Sequence, residues 1–167
     1  MSFELIPETG AGVTGANTYV SLEDADAYFD ARLNATDWSG EELKRSRALV
    51  MATRLIDRGL CWRGSRVYPE PALAWPRSGV PTLEGDATID SATIPQILKD
   101  EVCELALALL REDRIGAANQ PPQVGSSTRA GSKSFPTGAG RTVLTRTNID
   151  NLRPLSIQGV SRLTRAA

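Results

Sequence analysis

Three groups of residues have types and spacings that could do chemistry. Gly10-Ala-Gly12-Val-Thr-Gly15 matches the glycine pattern of a dinucleotide-binding loop. That mechanism needs a strand before the glycines, a helix opening at them and an acid after a second strand. Here the next helix start falls at Ser21 and Asp30 lies inside that helix, so the glycines read as a flexible turn. Asp24, Asp26 and Asp30 form a second group; Asp26 and Asp30 are one turn apart and could share a hard cation. Surface carboxylates on an N-terminal turn, favoured by the helix dipole, account for them equally well. The third group is Trp62, Arg63, Arg66, Tyr68, Trp75 and Arg77. Interleaved aromatics and cations of this kind suit single-stranded nucleic acid, where bases stack on rings and phosphates meet a basic groove. Core and loop-anchoring roles suit the same aromatics, because their neighbours are apolar. Glu101 and Glu104 flank an apolar stripe, and nothing marks them as an acid/base pair.

Other chemistry is excluded by what the chain lacks. With no histidine among 167 residues, Ser/His/Asp triads, Cys/His dyads and His-ligated zinc or haem are out. Cys61 and Cys103 are too few for a four-thiolate site and read as small buried hydrophobes. Neither an enzyme nor a cofactor or metal is expected. No apolar run approaches the ~20 residues of a membrane span. Met1–Gly10 lacks the basic start and apolar stretch of a signal peptide, so assembly in the cytoplasm is the expectation.

Charge is distributed unevenly. The formal net of −1 comes from 19 Lys+Arg against 20 Asp+Glu. Residues 1–114 hold 19 acids and 12 bases, whereas residues 115–167 hold one acid and seven bases. An acidic front and a basic rear follow, and the folded part is expected in the front.

The elements that must position these residues are mostly helical. Ser21 and Asp24 suit a capping box, with Leu22, Ala25, Tyr28, Phe29 and Leu33 as an apolar stripe and Asn34 as the stop. Ser39 and Glu42 repeat the pattern. A second helix then runs to about Arg58, burying Ala48, Leu49, Ala52, Leu55 and Ile56, with Gly59 as a left-handed cap. Its Lys44, Arg45, Arg47, Arg54 and Arg58 are expected to be mostly solvated. Residues 60–93 carry Pro69, Pro71, Pro76 and Pro81 and predict a long irregular loop whose tryptophans plug back onto the helices. Pro95 opens a third helix with Ile94, Leu98, Val102, Leu105 and Leu109 in register, ending at Gly116. From 115 to 140, 14 of 26 residues are Gly, Pro, Ser or Thr, a flexible-linker composition. The fold class is therefore mainly α: a helical bundle over 1–114, a linker over 115–140 and an extended basic C-terminal arm over 141–167.

Several stretches carry a family resemblance over residues 4–113. They are Glu8-Thr-Gly-Ala-Gly-Val-Thr-Gly-Ala-Asn-Thr-Tyr-Val-Ser21, Ala52-Thr-Arg-Leu-Ile-Asp57, Trp62-Arg-Gly64, Leu73-Ala-Trp-Pro-Arg-Ser-Gly79 and Glu104-Leu-Ala-Leu107. The chain resembles a tailed-bacteriophage family labelled DnaT-like single-stranded DNA-binding protein, whose members resemble head–tail adaptor (connector, head-completion) proteins. The resemblance implies a virion protein at the head–tail junction. It would form a ring, typically twelvefold, beneath the portal protein, with a tail or tail-completion protein below and genomic DNA passing through. The C-terminal arm would dock on the portal. Val143, Leu144, Ile149, Leu152, Leu155 and Ile157 would be its apolar anchors, and Arg141, Arg146 and Arg153 its cations. The alternative is a single-stranded DNA-binding module using Trp62, Arg63, Arg66, Trp75 and Arg77.

Overall fold

The computed structural model describes residues 3–82, 84–119 and 143–157, and they form a mainly α-helical fold. The order is α1 (Leu22–Asp30), α2 (Glu42–Gly59), a two-residue ribbon of β1 (Ser65–Arg66) and β2 (Arg77–Ser78), α3 (Gln96–Arg111), α4 (Arg114–Asn119) and α5 (Arg146–Leu152). A 3-10 turn, Arg153–Leu155, follows α5. Among the described residues no helix is long and apolar enough to cross a membrane.

Ser21 caps α1 as its sequence position predicts, its hydroxyl accepting from the Asp24 N–H at 3.0 Å. The second helix starts later than Ser39. Gly40 takes a positive φ of 95°, which breaks the helical path, and Glu41 becomes the cap without a side-chain hydrogen bond. Pro95 stands just outside α3 as its cap residue, where its missing N–H costs nothing. The chain bends out of α3 at Glu112 and resumes as α4, so Gly116 lies within a helix and ends nothing.

The core lies chiefly between α2 and α3, the most extensively packed pair of helices. Leu49, Ala52 and Ile56 of α2 meet Leu98, Val102, Leu105 and Ala106 of α3, all essentially sealed from solvent. Burial of this kind contributes about 25 cal/mol per Å² of apolar surface and dominates the stability of such a domain. Residues between α2 and α3 form the long irregular segment expected from the prolines, tied down by Leu73, Trp75, Val80 and Ile94.

The segment after residue 142 does not hang free. Leu144, Leu152 and Leu155 are buried in the same core cluster. Thr145 caps α5 in a full capping box with Asn148. The Asn148 and Asn151 side-chain amides then donate to the two oxygens of buried Glu101 on α3, at 2.6 and 2.5 Å. Beyond the 3-10 turn the chain runs antiparallel to residues 61–63. Arg63 N–H donates to Leu155 O at 3.0 Å and Ile157 N–H to Cys61 O at 2.7 Å. This corrects the picture of an extended docking arm for the described part of 141–167: Leu144, Leu152 and Leu155 complete the body's own core with Ile149 packed against it, while Ile157 stays exposed. Residues 120–142 and 158–167, with most of the expected linker and Arg141, lie outside the described residues.

Candidate nucleic-acid interface

The ribbon of β1 and β2 is where the sequence-predicted nucleic-acid residues meet. Its antiparallel register pairs Ser65 with Ser78 and Arg66 with Arg77. Gly64 makes the turn into it at φ 66°, and a Cβ there would meet Ser78 O at 2.2 Å, so only glycine permits this approach. Arg77 closes the ribbon internally. Its guanidinium donates to Arg63 O at 2.6 Å, Gly64 O at 2.7 Å and Ala74 O at 3.2 Å. Arg63 reaches the other way, its Nε donating to Ser156 O at 2.9 Å. Arg66 is exposed and its side chain has no partner among the described residues.

Behind the ribbon a buried polar network ties it to the last turn of α2. Tyr19 hydroxyl donates to the Asp57 carboxylate at 2.8 and 2.9 Å and accepts from Trp75 N–H at 3.1 Å. Ala74 N–H donates to Asp57 at 3.0 Å. Burial pushes the Asp57 carboxyl up, against the opposing pull of the Ala74 N–H, the Tyr19 hydroxyl and the charges of Arg66 and Arg77. Burial, then the neighbouring Asp57, pushes the Tyr19 phenol up as well. Arg77 is shifted down, first by its own desolvation and then by Arg66 across the ribbon. Two cations thus occupy paired positions of the ribbon, an arrangement that is repulsive on a sheet, and buried Asp57 behind them offsets it only in part.

The tryptophans are not stacking platforms. Trp75 is fully buried and Trp62 is 8% exposed. Their rings pack edge to face at 5.8 Å. Neither indole N–H reaches an acceptor, so packing alone holds them. Trp38 is likewise buried, stacked on Phe29 at 4.4 Å, with its Nε1–H donating to Asp26 at 2.7 Å. Of the candidate contacts, Trp62 and Trp75 are therefore corrected to core residues, while Arg63, Arg66 and Arg77 come together at one edge. Tyr68, half-buried, lies over Gly12, where a Cβ would come within 2.5 Å of its ring.

The remaining candidates resolve into structural roles. Glu8 fills the glycine loop itself: its carboxylate accepts from Gly10 and Gly12 N–H and from Val13 N–H, each at 2.9 Å. A nest of N–H groups suited to an anion is thereby occupied by a side chain of the same loop. Asp26 is engaged by Trp38 and by Arg45, and no group of acids and cysteines able to hold a metal occurs among the described residues. Glu104 pairs with Arg32 and accepts from Tyr28 hydroxyl at 2.8 Å. In the C-terminal segment Val143 and Ile149 are half-buried, Arg146 pairs with Asp150 at 3.6 Å, Arg153 is exposed but engaged, and Ile157 is 56% exposed.

Residue types alone did not reveal the Glu8 nest or the Glu101 clasp, since each depends on a partner set by the fold. They also left Lys44, Arg47, Arg54 and Arg58 as merely solvated. One signal was present: no acid occurs between Glu42 and Asp57.

The described residues thus present a small helical domain with an arginine-edged ribbon. The chain belongs to the family described as "Putative DnaT-like ssDNA binding protein", which matches residues 3–132. No curated protein and no solved structure gives a match. This finding overturns the head–tail adaptor expectation: the matching family carries a single-stranded DNA-binding description, and nothing in it points to a portal, a tail or a ring.

Proposed function

We propose that the protein is a single-stranded DNA-binding module that grips the strand mainly through its phosphates. The observation that carries this reading is the Arg66–Arg77 pair, an exposed and a half-buried cation at paired positions of the ribbon, with exposed Arg63 beside them. A bridging phosphate would relieve their repulsion and form charge-assisted hydrogen bonds. Arg66 is the free hand of the group, because the guanidinium groups of Arg63 and Arg77 already hold backbone carbonyls. The family description supports the same ligand class. With the tryptophans in the core, stacking contributes little, and sequence-tolerant, salt-sensitive binding follows.

The test is fluorescence anisotropy of a labelled oligothymidylate titrated with the full chain over a series of salt concentrations. The wild type should bind with an affinity that falls steeply as salt rises. Arg66→Ala should flatten the log–log salt slope by about 0.7, the value of one single-strand phosphate contact, without loss of thermal stability. A wild-type protein that binds no oligonucleotide at low salt would end the proposal.

A further inference from the structure

Two sets of the described cations contrast. Arg32, Arg45, Arg111 and Arg114 each pair with an acid: Glu104, Asp26, Asp37 and Glu112. Lys44, Arg47, Arg54 and Arg58 pair with none among the described residues, and all four are exposed on α2. Their spacing of three, seven and four residues returns each to the same side of a 3.6-residue helix. With exposed Met51 between them they form one stripe, opposite the face that buries Leu49, Ala52 and Ile56. At ~1.5 Å per residue the stripe is roughly 21 Å long. Arg45, the cation that would have faced inward, is drawn away to Asp26. Four like charges in line repel one another, and no acid pairs with any of them among the described residues.

The stripe also leads somewhere. It ends at Arg58, one residue from Asp57, whose carboxylate accepts from Ala74 N–H at 3.0 Å, three residues ahead of Arg77 of the ribbon. The C-terminal end of α2 carries the negative pole of the helix dipole, which favours cations gathered there.

We propose that the exposed face of α2 is a phosphate track, along which Lys44, Arg47, Arg54 and Arg58 carry the backbone of the single strand away from the ribbon. This rests on the single-stranded DNA-binding function proposed above and extends the footprint from one ribbon edge to a continuous basic path. Charge complementarity names the occupant: a polyanion with regularly spaced unit charges fits a line of unpaired cations, and the strand bound at the ribbon is such a polyanion, whereas a cationic partner would be repelled by this face.

The test uses the full chain and the same labelled oligothymidylate. In the quadruple variant Lys44→Ala/Arg47→Ala/Arg54→Ala/Arg58→Ala, alanine keeps helix propensity high on an exposed face. Its log–log salt slope should drop by about 2.8 relative to wild type, at about 0.7 per lost contact. The single variants Arg47→Ala and Arg54→Ala should each lower it by about 0.7; they keep the question answerable if the quadruple variant folds poorly. If these variants keep the wild-type slope while Arg66→Ala lowers it, the track is refuted and the ribbon site stands. If wild type shows no salt-dependent binding at all, both fall together.

Discussion

The carboxylate of Glu8 sits where a phosphate would sit in a glycine-rich anion loop, taking N–H bonds from Gly10, Gly12 and Val13. The G-x-G-x-x-G spacing was legible, and so was its failure to open a helix. The occupant was not, because the pattern describes backbone shape and Glu8 stands outside it. Glu8→Ala strips three N–H groups of their acceptor around a side chain 2% exposed, and should cost about 2–4 kcal/mol. Glu8→Gln, which keeps one accepting oxygen, should cost less; chemical denaturation of both variants measures the difference. The cysteines divide in a similar way. Cys103 is buried in α3, and burial pushes its thiol up to about 12, whereas Cys61 is exposed. Because the thiolate is the nucleophile, native protein at neutral pH should titrate one thiol with a disulfide reagent, and two after denaturation. Two fast-reacting thiols in the native protein would contradict that burial.

At the scale of elements, the C-terminal segment shows where apolar periodicity stops being informative. Leu144, Leu152 and Leu155 announce themselves as anchors, but a sequence does not say which surface receives them. The receiver is the body itself, through Glu101 on α3 and a gap at Gly59 on α2. Gly59 looked like a left-handed cap. Its φ is not positive; it closes α2 ahead of an extended Leu60, and a Cβ there would strike Leu144 Cδ1 at 2.5 Å. The absent side chain is therefore a packing feature. Gly59→Ala alone should destabilise the fold by about 1–3 kcal/mol through overpacking. In a Leu144→Ala background the same change should become neutral or stabilising, since alanine gains up to about 1 kcal/mol over glycine in a helix. A double-mutant cycle read by urea denaturation gives the coupling. Simple additivity would mean that residue 144 does not dock on α2 in solution. Helix α2 was legible almost to its ends and α3 from its start, because long amphipathic stripes override local ambiguity, whereas the stop expected at Gly116 lies five residues beyond the end of α3 at Arg111.

For the whole molecule, the decisive quantity is how charge is arranged in space. Counted along the chain, residues 1–114 are acidic, with 19 acids against 12 bases, which opposes phosphate. In the folded body, several of its acids are committed: Glu8 to the glycine loop, Asp26 and Glu104 to arginines, Glu101 to two asparagines. Five of the cations without an acid partner, Lys44, Arg47, Arg54 and Arg58 on the exposed face of α2 and Arg66 on the ribbon, lie at the end of the body where α2 and the ribbon are tied together by Asp57. Counting could not reveal this, because pairing depends on which side chains the fold brings together. The arrangement predicts a one-sided footprint, and the three lysines of the chain, Lys44, Lys99 and Lys133, allow it to be read without mutation. Lys44 is on the α2 stripe, whereas Lys99 is on α3, outside it. Acylation of surface amines followed by peptide mass mapping should show Lys44 protected by excess oligothymidylate, with Lys99 modified to the same extent bound or free. Raising salt should restore Lys44 reactivity in parallel with strand release, as expected of contacts made by counterion displacement. Equal protection of Lys44 and Lys99 would place the strand elsewhere, and the sorting of paired from unpaired cations would then serve solubility rather than recognition.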